Sequence, residues 1–279
     1  MPEHQYPTHF TWNYLNEEFP ERGSWYFDGW EIVNQMGVPT VEEYGGMYKP
    51  NLSTNNRRNI WISGYDEYYN ALSNKVVIET NHINTTNASD LEILKHWIND
   101  HGTGSATGGL ACFAANSDYN TTQFGTLPVD SDDAGKRIIV NFGTTGYHAW
   151  TIVGYNDDVK FDFNGDGEYT NPTNNMAEWE IGALKVVNSW GQSYCDGGFV
   201  YVPYRLLVKS YPYGISPKRV HVVSVTNHYE PQLTLKMNVT YSNRRMLTFY
   251  ADYASNANQN GYNINVAGFP VHDMHQPVV

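Results

Sequence analysis

Apolar residues in "SWYFDGWEIVNQMGVPT" fall at Trp30, Ile32, Val33 and Met36, a helical spacing, and Gly37 followed by Val38-Pro39 ends the run. A second helix is expected in "ASDLEILKHWINDHG". Ser89 stands there as N-cap with Glu92 three residues on, Leu91, Leu94 and Ile98 share one face, and Gly102 follows the end. Beyond it come short hydrophobic runs bounded by Gly, Asn and Asp: "GGLACFAAN", "RIIVNFG", "YHAWTIVGY", "ALKVVNSW" and "GGFVYVPY". Such runs read as buried strands. Later, "LTLKMNVTY" alternates apolar and polar residues, "SNRR" turns the chain, and "MLTFYA" follows as another strand. After Asp252 the sequence is rich in Asn, Gly and Pro and offers little to pack. The order is helices first, a β unit second and a β-rich appendage from about residue 215, an α+β chain.

Composition narrows the partners. Of 279 residues only 16% are charged, 15% are aromatic, and the formal net charge is −12. A field of that sign repels phosphate backbones, and no cluster of Lys and Arg interrupts it, so nucleic acid is not expected as a partner. Nor is a membrane. No apolar run approaches the roughly 18 residues that cross a bilayer, and the first residues, "MPEHQYPTHFTW", do not read as an export signal. Two cysteines, Cys112 and Cys195, allow at most one disulfide.

His148 opens the strand "HAWTIVGY", and Asn188 begins the turn "NSWG" that closes "ALKVV". A thiol attacks an amide as thiolate, so a thiol peptidase needs an imidazole to take its proton and later deliver it to the leaving amine. An amide oxygen on the far ring nitrogen orients that imidazole without adding a full charge. The order His-Ala, buried strand, Gly-Tyr, Lys-Val-Val-Asn-Ser-Trp-Gly, Gly-Phe-Val-Tyr resembles the papain-like cysteine peptidases of bacterial type. The likeness runs over about residues 10–209 and includes "SWYFDGWEIVNQMGVPTVEEY" upstream.

That resemblance implies a papain-like fold with an incomplete helical half, a β-barrel half and a C-terminal β extension, divided as residues 1–214 and 215–279. It implies His148 as general base, Asn188 as the residue that orients it, and Trp190 as the indole that shields their contact. Gly146 and Tyr147, just before the base, and Trp25 are the expected contacts of an extended peptide or protein substrate. The resemblance also implies a secreted or extracytoplasmic location, since full-length relatives usually act outside the reducing cytoplasm. The family's nucleophile, in Gln-x-x-x-Cys-x-x-Cys-Trp some 130–150 residues before the His, has no counterpart in this sequence. Cys112, inside a strand, reads as a structural thiol, and Cys195 sits where the family more often has Trp-Gly. Two accounts stand: the chain starts after the nucleophile segment, or it is a pseudo-peptidase that holds a peptide in the retained groove without cutting it. A β-rich carbohydrate-binding protein is a third reading, suggested by the aromatic and Asn content.

One more motif carries chemistry. In "DFNGDGEYTNPT", Asp162, Asn164 and Asp166 take the first, third and fifth places of an EF-hand-like loop, with Gly167 at the turn and Glu168 offering its carbonyl. Such a loop can wrap one Ca²⁺, which would leave the chemistry to other residues, or stand as a solvated Asp/Asn/Gly turn without metal. The twelfth place is Thr173, so Glu178 or Glu180 has to fold back to close it.

Overall fold

The computed structural model describes residues 5–8, 10–11, 24–44, 71, 74, 76–104, 108–226, 240, 250–253 and 262–265. Two compact units divide the chain: Met1–Ile78 with Val225–Val279, and Glu79–Ser224.

In the first unit, helix α1 (Tyr26–Met36) ends where the sequence indicates. Gly37 takes φ 75°, and its amide donates to the Val33 carbonyl. A single turn, α2 (Val41–Tyr44), follows. Thr40 and Glu43 cap it reciprocally: the Glu43 carboxylate accepts from the Thr40 amide at 2.8 Å, and the Thr40 hydroxyl accepts from the Glu43 amide at 3.2 Å. The alternating segment "LTLKMNVTY" lies outside the described residues apart from Thr240, and of "MLTFYA" only the last two residues are described.

The second unit is built on one mixed sheet. Its strands are β1 (Val77–Asn84), β2 (Ala111–Asn116), β3 (Gln123–Thr126), β4 (Arg137–Asn141), β5 (Tyr147–Lys160), β6 (Ile181–Val187), β7 (Phe199–Pro203) and β8 (Arg219–Thr226). They lie in the order β1-β8-β2-β5-β6-β7-β4-β3. Only β4 and β7 among the pairs with described register run parallel. Helices α3 (Ala88–Asp100) and α4 (Arg205–Val208) complete the unit. The described residues are thus mixed α+β with few helices. The boundary expected near residue 215 falls between α4 and β8, and β8 takes a place inside the main sheet beside β2. Beyond the sheet, β9 (Tyr250–Tyr253) and β10 (Tyr262–Asn265) pair antiparallel, a strand pair where the sequence offers little to pack.

Buried residues stand on both faces of β6 and β7, which is why these strands read as near-continuous apolar runs. Along β6, Leu184 and Val186 enter one core with Ile139, Trp150, Ile152, Val200 and Val202. Their neighbour Ala183 enters a second with Ile138, Val159 and Tyr201, as the two-residue period requires. Leu91, Leu94 and Ile98 of α3 are 1%, 0% and 9% exposed and join the larger core. Full burial of each such side chain is worth about 1.5–3 kcal/mol. Lys95 holds the helix to β5 through Asp157, at 3.0 Å, and Asp157 also accepts from the Tyr204 hydroxyl at 2.7 Å.

The start of α3 differs from expectation. Its N-cap is Asn87, not Ser89: the Asn87 side chain accepts from the Asp90 amide at 3.0 Å. Asp90 in turn accepts from the Thr86 amide at 2.8 Å and its hydroxyl at 2.6 Å. Cap and acidic partner therefore stand two residues earlier than expected, with the carboxylate reaching back to the residue before the cap. At the other end His101 itself takes the left-handed conformation, φ 56°, before Gly102.

Candidate active site

Strands β5 and β6 are antiparallel neighbours, so the start of one lies beside the end of the other. His148, second residue of β5, and Asn188, first residue after β6, therefore meet although 40 positions apart. His148 Nε2 lies 3.0 Å from Asn188 Oδ1. The same oxygen accepts from the Trp190 amide at 3.2 Å. A backbone N–H only donates, so this second bond fixes which end of the Asn188 amide faces the ring. It also fixes the tautomer. Oδ1 can only accept, hence Nε2 carries the proton and Nδ1 keeps its lone pair.

The turn is secured from below. The Asn188 amide donates to the Gly198 carbonyl at 2.9 Å, and the Tyr194 amide donates to the Gly191 carbonyl at 3.2 Å. Asn188 is 5% exposed. The Trp190 indole lies against the imidazole, ring centres 5.0 Å apart, and Trp150 meets it edge-on at 5.8 Å. Burial holds the half-buried His148 below its ordinary pKa, against the opposing hydrogen bond from Asn188, so the ring is neutral at neutral pH.

Tyr194 was not signalled by any motif beyond its place in "SYCDGG". Its ring packs edge-on to Trp190 at 5.3 Å and against Trp150 at 5.9 Å. The hydroxyl is pushed well above its usual range by burial and interacts with the Asn188 amide, whose Nδ2 otherwise makes no hydrogen bond of full geometry. This tyrosine braces the Trp190 and Trp150 rings and the Asn188 side chain.

Cys112 does not face that pair. His148 is register partner of Ala115, and Cys112 is partner of Thr151, so the strand alternation puts Cys112 and His148 on opposite faces of the sheet. Cys112 Sγ lies 3.8 Å from the Thr151 hydroxyl, and burial pushes the thiol up. Cys195, at φ 41°, packs against the larger core and is raised by burial as well.

An open pocket of about 400 Å³ adjoins the pair, lined by Ser117, Asp118, Tyr119, Asn120, Gly146, Tyr147, His148 and Trp190. Gly146 and Tyr147 thus share a wall with the imidazole. The segment 117–120 was missed in the sequence because no motif marks it. It is a tight turn after β2, in which the Thr121 and Thr122 amides donate to the Asp118 carbonyl at 3.1 and 2.8 Å. Gly146 allows this turn to come close. Its φ is 74°, and a Cβ there would sit 3.0 Å from the Asp118 nitrogen. Trp25 belongs to the other unit, where it stands 56% exposed before α1.

The Asp-rich loop is closed by Glu180. Asp162 Oδ1 accepts from the Gly165 amide at 2.6 Å and Oδ2 from the Gly167 amide at 2.9 Å, while Asn164 and Asp166 accept from amides two residues on, each at 2.8 Å. Glu180, 3% exposed, folds back across the loop, but onto backbone amides: Oε1 accepts from Phe163 at 3.0 Å and Oε2 from Thr170 at 3.1 Å. Among the described residues no group of three or more His, Cys, Asp or Glu side chains is gathered.

No family model and no curated protein sequence matches the chain. Among solved structures it is similar to xylellain, a cysteine protease from Xylella fastidiosa, at 16% identity over 78% of this chain and 69% of that one, with a TM-score of 0.41. It is also similar to SERA5E of Plasmodium falciparum, at 17% identity over 74% and 71% with a TM-score of 0.37, and to the SERA5 proenzyme, at 13% over 79% and 57% with a TM-score of 0.36.

Proposed function

We propose that the chain is a papain-like, peptidase-type domain that takes an extended peptide or protein segment beside His148. In this reading His148 and Asn188 are the base and the orienting residue of a Cys-His-Asn apparatus whose thiol is neither of the two cysteines in this sequence. The observation that supports it most is the doubly held amide: Asn188 Oδ1 accepts from His148 Nε2 and from the Trp190 N–H, which leaves Nδ1 of a neutral ring as proton acceptor. A thiol placed at Nδ1 gives up its proton there, attacks the scissile carbonyl as thiolate, and the imidazolium returns the proton to the leaving amine. Asn188 keeps the ring from turning at each stage, and being neutral it leaves the basicity of the ring to its surroundings.

A second reading is favoured by the position of Cys112, behind the sheet from His148: the same groups hold a peptide and do not cleave it. In either case this chain by itself binds peptide without turnover. Peptides with blocked ends should shift the NMR signals of the His148 ring and the Trp190 indole, while a fluorogenic peptidyl amide stays intact and a thiol-directed epoxide leaves the chain unlabelled. Hydrolysis abolished by Cys112→Ser or Cys195→Ser would make one of those thiols the nucleophile and overturn the assignment. Shifts caused by oligosaccharides and not by peptides would place the chain among carbohydrate-binding proteins instead.

A further inference from the structure

We infer that the pocket beside His148 is a subsite for a cationic side chain, Lys or Arg, of the bound peptide, with Asp118 as the residue that selects it. This rests on the reading of the site as a peptide-binding cleft and names the kind of peptide it takes. Asp118 is the only acidic side chain among the eight lining residues, and Lys and Arg are absent from that wall. The His148 ring adds no competing charge at neutral pH, because burial keeps it unprotonated.

The carboxylate is held in place and still has room to accept. Oδ1 accepts from the Asn120 amide at 2.8 Å and Oδ2 from the Thr145 hydroxyl at 3.1 Å. Each oxygen has two lone pairs, so one on each is free. Among the described residues Asp118 has no ion-pair partner. Its backbone is pinned on three sides: its carbonyl takes the Thr121 and Thr122 amides, and its amide donates to Thr145 at 3.1 Å.

Around this one anion stand three exposed aromatic rings. Tyr119, Tyr147 and Trp190 line the same pocket and are 60%, 43% and 46% exposed. Large aromatics left in water around a carboxylate suit an alkylammonium or guanidinium group: the stem packs on the rings, the head lies over a ring face and the charge meets the carboxylate. An acidic side chain gains none of these contacts, and in a chain of net charge −12 it is repelled as well.

The test uses the full chain and three end-blocked pentapeptides that differ only in a central Lys, norleucine or Glu, followed through the Trp190 indole signal, assigned with Trp190→Phe. The Lys peptide should bind about tenfold tighter than the norleucine peptide, from a partly exposed ion pair plus a cation–π contact, with Glu weakest. The advantage should shrink as salt is added. Asp118→Asn, which keeps an acceptor for the Asn120 amide, should remove the difference between the Lys and norleucine peptides. Equal binding of Lys and norleucine to the native chain overturns the cationic subsite and leaves the peptide cleft standing. A Lys advantage that survives Asp118→Asn overturns the role of Asp118. If none of the three peptides moves the signal, the cleft reading fails, and this inference with it.

Discussion

Asn188 satisfies two donors with one oxygen, and few side chains could replace it there. The His148 ring nitrogen and the Trp190 amide converge on Oδ1 at 3.0 and 3.2 Å. Asn188→Ala removes both bonds at a position 5% exposed, so it should cost about 1–3 kcal/mol in urea unfolding. The sharper readout is the ring itself. In the native chain the nitrogen signals of His148 should report one tautomer with the proton on Nε2; in Asn188→Ala both should be populated. A single Nε2–H tautomer in the variant would mean that something other than Asn188 holds the ring. At this scale the sequence was informative about identity and silent about neighbours. His148 and Asn188 were legible because each is tied to a recognisable strand end. Tyr194 and Asp118 gave no signal, since their contacts with Trp150 and Thr145 form only in the folded chain.

At the scale of elements, what could be read depended on burial of both faces. Strands β6 and β7 bury residues on both faces and gave apolar runs; β1 (VIETNHIN) and β3 (QFGT) are the two sheet edges, carry polar residues and gave no strand signal. Strand β5 runs on to Lys160, past the point where its polar residues Asn156, Asp157 and Asp158 ended the expected strand. Its pairing with β6 shifts register between Asn156 and Lys160, which lets those side chains sit at the surface or meet Lys95 and Tyr204. The N-cap of α3 was misplaced because two capping patterns overlap, Asn87 with Asp90 and Ser89 with Glu92, and the link from Asp90 to Thr86 decides between them. The loop from Asp162 to Glu180 offers a prediction of its own. Glu180 is its clasp, a buried carboxylate on two backbone amides, with Arg205 close to the same loop over the Phe163 ring at 4.3 Å. Glu180→Ala leaves both amides without an acceptor and should destabilise the chain by about 3 kcal/mol, whereas Glu180→Gln keeps one carbonyl oxygen and should lose roughly half of that. Equal urea midpoints for native and Glu180→Ala proteins would show that the loop is held by other means.

For the molecule as a whole, protons connect the site to stability. Burial lowers the pKa of His148, and burial together with Arg219 and His82 lowers that of His221 on β8. Both rings therefore bind protons more weakly in the folded chain than in the unfolded one, where histidine titrates near 6.5. The sign follows from linkage. Stability rises with pH wherever the unfolded state holds more protons, so these two residues impose no penalty above about pH 6.5 and a growing one as the pH falls from there toward their folded values. Carboxylates act in a separate window. Asp130, held low chiefly by its bond to Lys160, and Asp162, held low chiefly by the Gly167 amide, lose their contribution only below the ordinary range for Asp, near 4. Thermal unfolding should thus show two steps of acid destabilisation, one beginning near pH 6.5 and one near pH 4. His148→Gln combined with His221→Gln should flatten the first and leave the second in place. A native slope between pH 7 and 5 that persists in the double variant would mean that neither ring is kept neutral by the fold, and the picture of His148 as an unprotonated base at neutral pH would go with it.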